Sequence, residues 1–221
     1  MPAYLNLLRD ASTFSIYVLF FLVLFYRITK GRIDDNNFRM FTNIWLPLAV
    51  IAQILMTFVR KHYGTSNIPI ANVFIMLELP VLTYILLGIR KKLKNINTNY
   101  KIWLLLIIVS ILLHFFEDFY SIQKEALLLT IIIYFQLTVS LVDIEDFDME
   151  NKYKFYQNPL LLLNAGVFLK AFGYSFFLIY QIDYKFPLSI YSLVNLGVQI
   201  LFVMAIIFYY KNNKLKEFQN G

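Results

Sequence analysis

Two charged side chains stand inside long apolar runs of this sequence. Glu78 occurs in "FIMLELPVL", residues 74–82, and no other charged residue lies within ten positions of it on either side. Lys170 occurs in the run "LLLLNAGVFLKAFGYSFFLIY". Burying a lone ionised group is among the costliest transfers in protein chemistry. The two residues therefore indicate either a structural ion pair, with Glu78 held protonated as an alternative, or a site for a ligand, an ion or a proton.

The depth of the two charges predicts that they meet. If residues 69–89 and 160–181 are membrane helices, Glu78 lies about nine residues, or ~14 Å of helix, from the end of its helix near Pro69. Lys170 lies about 11 residues, or ~16 Å, from the end of its helix near Gln181. Both ends face the same side of the membrane, so we expect the two charges at one depth.

Amide side chains approach the same layer. Asn195 and Gln199 are four residues apart and share a helix face. Gln53 lies in the middle of its predicted helix, and Asn72 and Asn164 each lie within about two turns of a charged residue. Amides often join packed membrane helices by hydrogen bonds, which is the simpler interpretation. Their convergence at one depth favours a central polar cavity.

A weaker pattern occurs in "HFFED". If the helix continues to residue 119, His114, Glu117 and Asp118 fall at i, i+3 and i+4 on one face. Such residues suit a metal site or acid–base chemistry, but one histidine and charges at a helix end are ordinary. The chain has no cysteine, which excludes a disulfide, a cysteine-bound zinc and a thiol nucleophile. Retinal proteins, which also have seven helices, hold their chromophore on a lysine of the last helix. The last predicted helix here has no lysine, so we do not expect retinal. We predict no metal and no cofactor.

The segment "DIEDFDME", residues 143–150, carries five acids close to the basic "RKKLKNINTNYK" in the chain's predicted topology. It is interpreted either as a solvated loop that those lysines partly neutralise or as a docking surface for a cytoplasmic partner. The acids are Asp143, Glu145, Asp146, Asp148 and Glu150.

The elements that must position these residues are predicted from composition. The 221 residues are 59% hydrophobic, 15% charged and 18% aromatic, with a mean hydropathy of +0.62, whereas soluble domains carry about 25% charged residues. Seven stretches are long enough to cross a bilayer, which needs about 20 apolar residues. They lie at about 11–28, 40–60, 69–89, 102–119, 122–142, 160–181 and 188–210. The fourth and fifth are alternatively one re-entrant hairpin.

Orientation follows from the lysines and arginines. The connections after the first, third and fifth stretches and the C-terminal tail carry 14 of them, against 5 on the other side. Because cytoplasmic segments carry the excess of positive residues, the N-terminus is predicted outside and the C-terminus in the cytoplasm. This distribution explains the net charge of +6 without a nucleic-acid partner. The predicted fold is an all-α integral membrane protein: one compact bundle of seven transmembrane helices over residues 1–221.

Three segments, "NVFIMLE", "NPLLLLNAGVFLKAFGYSFF" and "SLVNLGVQILFVMAIIF", resemble a group of uncharacterised bacterial seven-helix integral membrane proteins. The resemblance implies a small multi-pass protein of the bacterial inner membrane that works beside sensor kinases. It implies no substrate and no catalytic residue. The residues that it carries over are Asn72, Glu78, Asn158, Pro159 and Asn195, whereas Lys170 has no counterpart in the pattern.

Three functions remain open. The first is a membrane-embedded sensor or transducer subunit that binds a small or lipidic ligand in the polar cavity and signals to a cytoplasmic or membrane partner. The second is a small transporter or channel that uses Glu78 and Lys170 for ion coupling, which needs a continuous polar path. The third is an intramembrane lipid-modifying enzyme. The sequence offers no coherent catalytic set, which favours a protein without enzymatic activity, and membrane lipid is its expected surrounding partner.

Overall fold

The computed structural model describes residues 3–31, 33–63, 67–94, 99–118, 120–121, 123–140, 157–180 and 187–220, and throughout these ranges regular structure is helical. We number seven long helices along the chain. They are α1 (Ala3–Lys30), α2 (Asn36–Tyr63), α3 (Ile68–Lys94), α4 (Tyr100–Phe116), α5 (Lys124–Val139), α6 (Pro159–Tyr180) and α7 (Pro187–Asn220).

Five of these helices, α1, α2, α3, α6 and α7, are long and apolar enough to cross a membrane. Helix α4 is apolar but has 17 residues, and α5 has 16. The prediction of an all-helical chain is confirmed for the described residues, and the five long helices indicate a multi-pass membrane protein. The predicted end of the fourth helix near residue 119 is wrong: Glu117 adopts an extended backbone and α4 ends at Phe116.

Helix α2 is not uniform. It begins after Asp35, whose carboxylate accepts hydrogen bonds from the backbone N–H groups of Asn37 and Phe38. Residues Phe41–Trp45 form a π-helical segment, which the N–H of Leu46 closes by donating to the carbonyl of Phe41. Pro47 lies two residues after this segment. A proline lacks an N–H and its ring crowds the preceding turn of a helix. The wider π turn accommodates that ring.

Helix α6 begins in the way its sequence "NP" predicts. The side chain of Asn158 accepts from the N–H groups of Leu160 and Leu161, and Pro159 takes the first helical position, where its missing N–H costs nothing. Helices α6 and α7 then pack closely at Gly166, where a Cβ atom would clash with the ring of Phe202.

The two ends of the bundle differ. We call one the Lys92 end, where α1 and α3 finish and α2 starts, and the other the Arg60 end, where α2 finishes and α3 starts. Toward the Lys92 end the interior is filled by fully buried apolar side chains, which include Phe38, Phe41, Leu82, Leu86 and Ile89. Toward the Arg60 end the helices enclose a cavity.

Candidate functional site

The carboxylate of Glu78 is fully buried and has three donors around it. Lys170 Nζ lies 3.0 Å from Glu78 Oε1, which confirms the predicted ion pair. Trp45 donates its indole N–H to the same oxygen over 2.6 Å, and the hydroxyl of Tyr174 donates to Oε2. A carboxylate offers only acceptors, so three donors suit it. The cost of burying this charge is thus offset by pairing and hydrogen bonding together.

The ammonium of Lys170 lies among aromatic rings. Its Nζ is 5.4 Å from the ring centre of Trp45, 5.5 Å from that of Phe74 and 5.2 Å from that of Tyr174. A cation within about 6 Å of a ring face is attracted by the ring's quadrupole, more strongly where water is excluded. The lysine side chain is 9% exposed, so both the rings and Glu78 stabilise its charge.

Local structure explains how these groups converge. Tyr174 follows Lys170 by four residues, so both point from one face of α6. Trp45 is the last residue of the π segment of α2, stacked on Phe41 at 4.8 Å and packed edge-on against Phe202 at 5.1 Å. This packing fixes the indole so that its N–H meets Glu78.

A cavity of about 330 Å³ extends from Lys170 and Trp45 to Arg60. Ligand pockets are typically of this size or larger. Its lining comes from all seven helices and from the segments before α3 and α5, and combines apolar side chains with amides and hydroxyls. In the described part of the chain the lining includes Lys170 and Arg60 but no aspartate or glutamate, because Glu78 lies behind Lys170.

Four predicted amides line this cavity: Gln53, Asn72, Asn195 and Gln199. The first three use their amide nitrogens within the bundle. Gln53 donates to the hydroxyl of Thr13 over 3.4 Å, Asn72 to the carbonyl of Ser121 over 2.8 Å, and Asn195 to the hydroxyl of Ser12 over 2.7 Å. Gln53 and Asn195 thus join α2 and α7 to α1, Asn72 joins α3 to the segment between α4 and α5, and all three also line the cavity.

Gln199 is different. It is 2% exposed, and its carbonyl oxygen has no hydrogen-bond partner in the described part of the protein. The same holds for the carbonyl oxygen of Gln123, whose amide nitrogen donates to the carbonyl of His114 over 2.8 Å. Buried acceptors without partners are uncommon in folded proteins, so these two oxygens are open to a further donor, from a ligand or from a water molecule.

The predicted place of Asn164 in the cavity is wrong. Asn164 is buried, but it does not line the cavity, and its amide nitrogen donates to the carbonyl of Thr138 over 3.3 Å. Six residues separate it from Lys170, which is about 600° around an α-helix, so the two point in directions roughly 120° apart. A position within two turns of Lys170 was therefore insufficient to place Asn164 at the cavity.

The weak metal candidates do not share a helix face, since α4 ends at Phe116. Glu117 accepts from the N–H groups of Glu125 and Ala126 and so caps the start of α5, while Asp118 accepts from the N–H of Tyr120. His114 lies inside the helix end, with its Nδ1 2.9 Å from the carbonyl of Ser110. No group of three metal-ligating side chains occurs in the described ranges. The five acids at 143–150 lie outside those ranges.

Sequence reasoning missed Trp45, Tyr174, Ser12, Ser192 and Arg60 as site residues. A signal existed for Tyr174, four residues after Lys170, and for Ser192, which shares a face with Asn195 and Gln199 at spacings of three and seven. Trp45 gave no comparable signal, because its direction depends on the π segment.

No protein-family model, curated protein or solved structure matches this chain. The resemblance of the three motifs to bacterial seven-helix proteins therefore stays a prediction. The cavity has the ammonium of Lys170, neutralised by Glu78, and the unpartnered carbonyl oxygen of Gln199 at its floor. Its wall is apolar with some hydroxyl groups, and the guanidinium of Arg60 lies at its mouth.

Proposed function

We propose that this protein is a membrane-embedded sensor or transducer subunit that binds a small or lipidic ligand in the cavity. The observation that carries the proposal is the shape of the interior. The cavity has a polar floor at Lys170 and continues only toward the Arg60 end, whereas the other half of the bundle is packed with buried apolar side chains. A blind pocket of this kind suits recognition.

The same asymmetry supports a receptor over a transporter or channel that would use Glu78 and Lys170 for ion coupling. Such a protein needs a polar path beyond the ion pair, and the residues next along it are Leu82, Leu86 and Phe41, all fully buried. An intramembrane enzyme would need an activated nucleophile or a metal cluster at the cavity. Among the described lining residues the hydroxyl of Tyr174 donates to Glu78, whose carboxylate is already paired with Lys170, and no group of three metal-ligating side chains occurs in the described ranges.

The proposed topology has all seven helices crossing a bacterial inner membrane, with the Arg60 end outside and the Lys92 end in the cytoplasm. The distribution of 14 and 5 basic residues supports this orientation. Helices α4 and α5 are close to the lower limit of about 17 residues for a span.

The proposed route of signalling starts at Glu78. Its carboxylate joins three helices, because Trp45 belongs to α2, Glu78 to α3, and Lys170 and Tyr174 to α6. Helices α2 and α3 both continue to the Lys92 end, where Asp35 pairs with Lys92. A ligand that moves Lys170 therefore shifts the carboxylate and the helices that hold it. A cytoplasmic partner of the sensor-kinase type would read this shift, and the acids of 143–150 are a candidate docking segment.

Paired labels test this proposal, because the chain has no native cysteine. Arg39→Cys and Lys91→Cys place single thiols on exposed residues near the Lys92 end of α2 and α3. In the proposed topology a membrane-impermeant maleimide labels either thiol only after the cytoplasmic membrane is permeabilised. Labelling of intact spheroplasts from outside would contradict the orientation.

The doubly labelled protein then tests transduction by the distance between its two spin labels. Ala71→Trp fills the cavity from α3, and Leu77→Trp is the matched control, since it adds the same ring to a side chain that is 44% exposed on the same helix. We expect the Ala71 variant alone to change the label distance and to reduce the small molecules that co-purify with the protein in native mass spectrometry. An unchanged distance together with unchanged co-purification would refute a transducing cavity.

A further inference from the structure

The hydrogen bonds around the cavity indicate where a ligand's polar groups would bind. Along the middle of the wall, Gln53, Asn72 and Asn195 donate to partners within the bundle. Because buried polar groups in proteins are nearly always paired, the positions without partners are the informative ones. Among the described residues that line the cavity, Gln199 at the floor and Gln123 before α5 have side-chain oxygens without partners.

The floor offers both a donor and an acceptor. Lys170 has three N–H donors, and among the described residues Glu78 is the partner that the structure gives its Nζ. Gln199 presents an unpartnered carbonyl oxygen. Gly166 of α6 packs against Phe202 of α7, and Leu169 of α6 packs against Gly197 of α7. This register places Lys170 and Gln199 within about one helical turn of each other along the axis of the helix pair. A hydroxyl group satisfies both, since it accepts from one residue and donates to the other.

The mouth offers a positive charge. Arg60 is exposed at the end of α2 and makes no ion pair with any residue that the structure describes. A carboxylate carries a single charge that one guanidinium neutralises, whereas a phosphate monoester carries about −1.5 to −2. At the floor a carboxylate is disfavoured, because Glu78 already neutralises Lys170 and a second acid would leave a net charge buried.

Between these two poles the wall is largely apolar. Trp45 and Arg60 are fifteen residues apart on α2, which corresponds to ~22 Å along the helix. Ala49, Met56, Ala71 and Ile75 line the space between them. The distance requires an elongated ligand, and the apolar side chains favour a hydrocarbon middle.

From these observations we propose the ligand class: an elongated amphiphile with a carboxylate that pairs with Arg60 and a hydroxyl at its leading end that binds Lys170 and Gln199. This assignment rests on the proposed function, in that the cavity must bind a ligand at all. It adds the chemistry and the orientation of that ligand.

Orientation is measured by fluorescence quenching. The chain has two tryptophans, so Trp103→Phe leaves Trp45 at the cavity floor as the sole indole. Bromine quenches indole fluorescence on contact. We expect ω-bromododecanoate to quench Trp45 at least severalfold more than α-bromododecanoate at equal occupancy. Stronger quenching by the α-bromo acid would place the carboxylate at the floor and overturn the proposal.

Affinity for three unbrominated probes tests each pole in the same Trp103→Phe protein. We expect ω-hydroxydodecanoate to bind about three- to tenfold more tightly than dodecanoate, which is the range that one net hydrogen bond supplies. Gln199→Met should remove that preference. Dodecanediol should bind more weakly than the hydroxy acid, and Arg60→Gln should remove this second difference, while Arg39→Gln at the other end of α2 should leave it intact.

Equal affinities of the hydroxy acid and the plain acid would overturn the hydroxyl assignment, and a preference for the acid that survives Arg60→Gln would overturn the carboxylate assignment. Failure of all three probes to bind would reject the ligand class as a whole. The receptor function is judged separately by the Ala71→Trp protein, so the two failures are distinguishable.

Discussion

Two ion pairs hold α3 to its neighbours in opposite surroundings. Glu78 and Lys170 join α3 to α6 with side chains that are 0% and 9% exposed, whereas Asp35 and Lys92 join α3 to the start of α2 with side chains that are 9% and 57% exposed. The buried pair is surrounded by two further hydrogen-bond donors and three rings, while Asp35 is occupied mainly as the cap of α2. A carboxylate–ammonium pair is thus part of the buried interior at Glu78 and Lys170, whereas at Asp35 and Lys92 it supplements the capping of a helix end.

The contrast shows that the distance between two charges does not by itself determine how much their ion pair contributes to the free energy of unfolding. An exposed pair gains about 0–1 kcal/mol, because water competes and long side chains lose freedom. Removing one partner of a buried pair leaves the other charge stranded and costs about 3–5 kcal/mol. The cost of removing one charged residue therefore depends on whether its partner is left in water or buried, and substitutions at each of the two pairs test this.

The largest effect is expected at the buried pair. Glu78→Gln and Lys170→Met should each lower the free energy of unfolding in detergent by about 3–5 kcal/mol. The double substitution should recover much of that loss, because neither charge is then left alone. The exchange of the two residues should preserve more stability than either single reversal. Thermal and denaturant unfolding measure these values, and strictly additive losses would show that the two residues do not interact.

An intermediate effect is expected for the hydroxyl that donates to Glu78. Tyr174→Phe should cost about 1.5–3 kcal/mol, the range for a hydrogen bond to a charged group. Tyr134→Phe is its matched control: Tyr134 is also fully buried, but its hydroxyl has no partner in the described ranges, so its removal should be neutral or slightly stabilising.

The tyrosine comparison has a second arm in the Glu78→Gln protein. There the cost of Tyr174→Phe should shrink, because the acceptor is no longer charged. Unfolding free energies of the four proteins form a double-mutant cycle. Equal costs for the two tyrosines, or a cost at Tyr174 that does not depend on Glu78, would argue against the hydrogen-bonded cluster.

The smallest effect is expected at the exposed pair. Lys92→Met and Asp35→Asn should each cost about 1 kcal/mol or less, since asparagine also caps a helix. Ionic strength sharpens the difference, because 1 M salt shortens the screening length to about 3 Å. Added salt should therefore erase the cost of Lys92→Met and leave that of Lys170→Met nearly unchanged. A salt-insensitive loss at Lys92 would mean that this pair, too, behaves as a buried one.

The sequence predicted the buried pair because charges inside apolar helices are rare enough for depth alone to match them. Depth could not predict which way Asn164 points, and the periodicity of α6 directs it to Thr138. Trp45 was not predictable, because tryptophan is ordinary at membrane interfaces and its direction here depends on a π turn. The helices themselves follow from hydropathy, but the end of α4 does not, since Glu117 leaves the helix to cap α5.

The π segment of α2 also shifts the periodicity with which side chains point around that helix, so that the residues before it and after it follow two different registers. A π turn holds one more residue than an α turn, and each residue advances an α-helix by about 100°. Regular α-helix through the same residues would turn the Asp35 end of α2 by roughly that angle relative to the part that lines the cavity, whereas deleting one residue within Phe41–Trp45 would restore regular α-helix and leave both parts in about their present orientations. The helix is therefore best regarded as two rods joined by a single-residue offset, with the indole of Trp45 at the join.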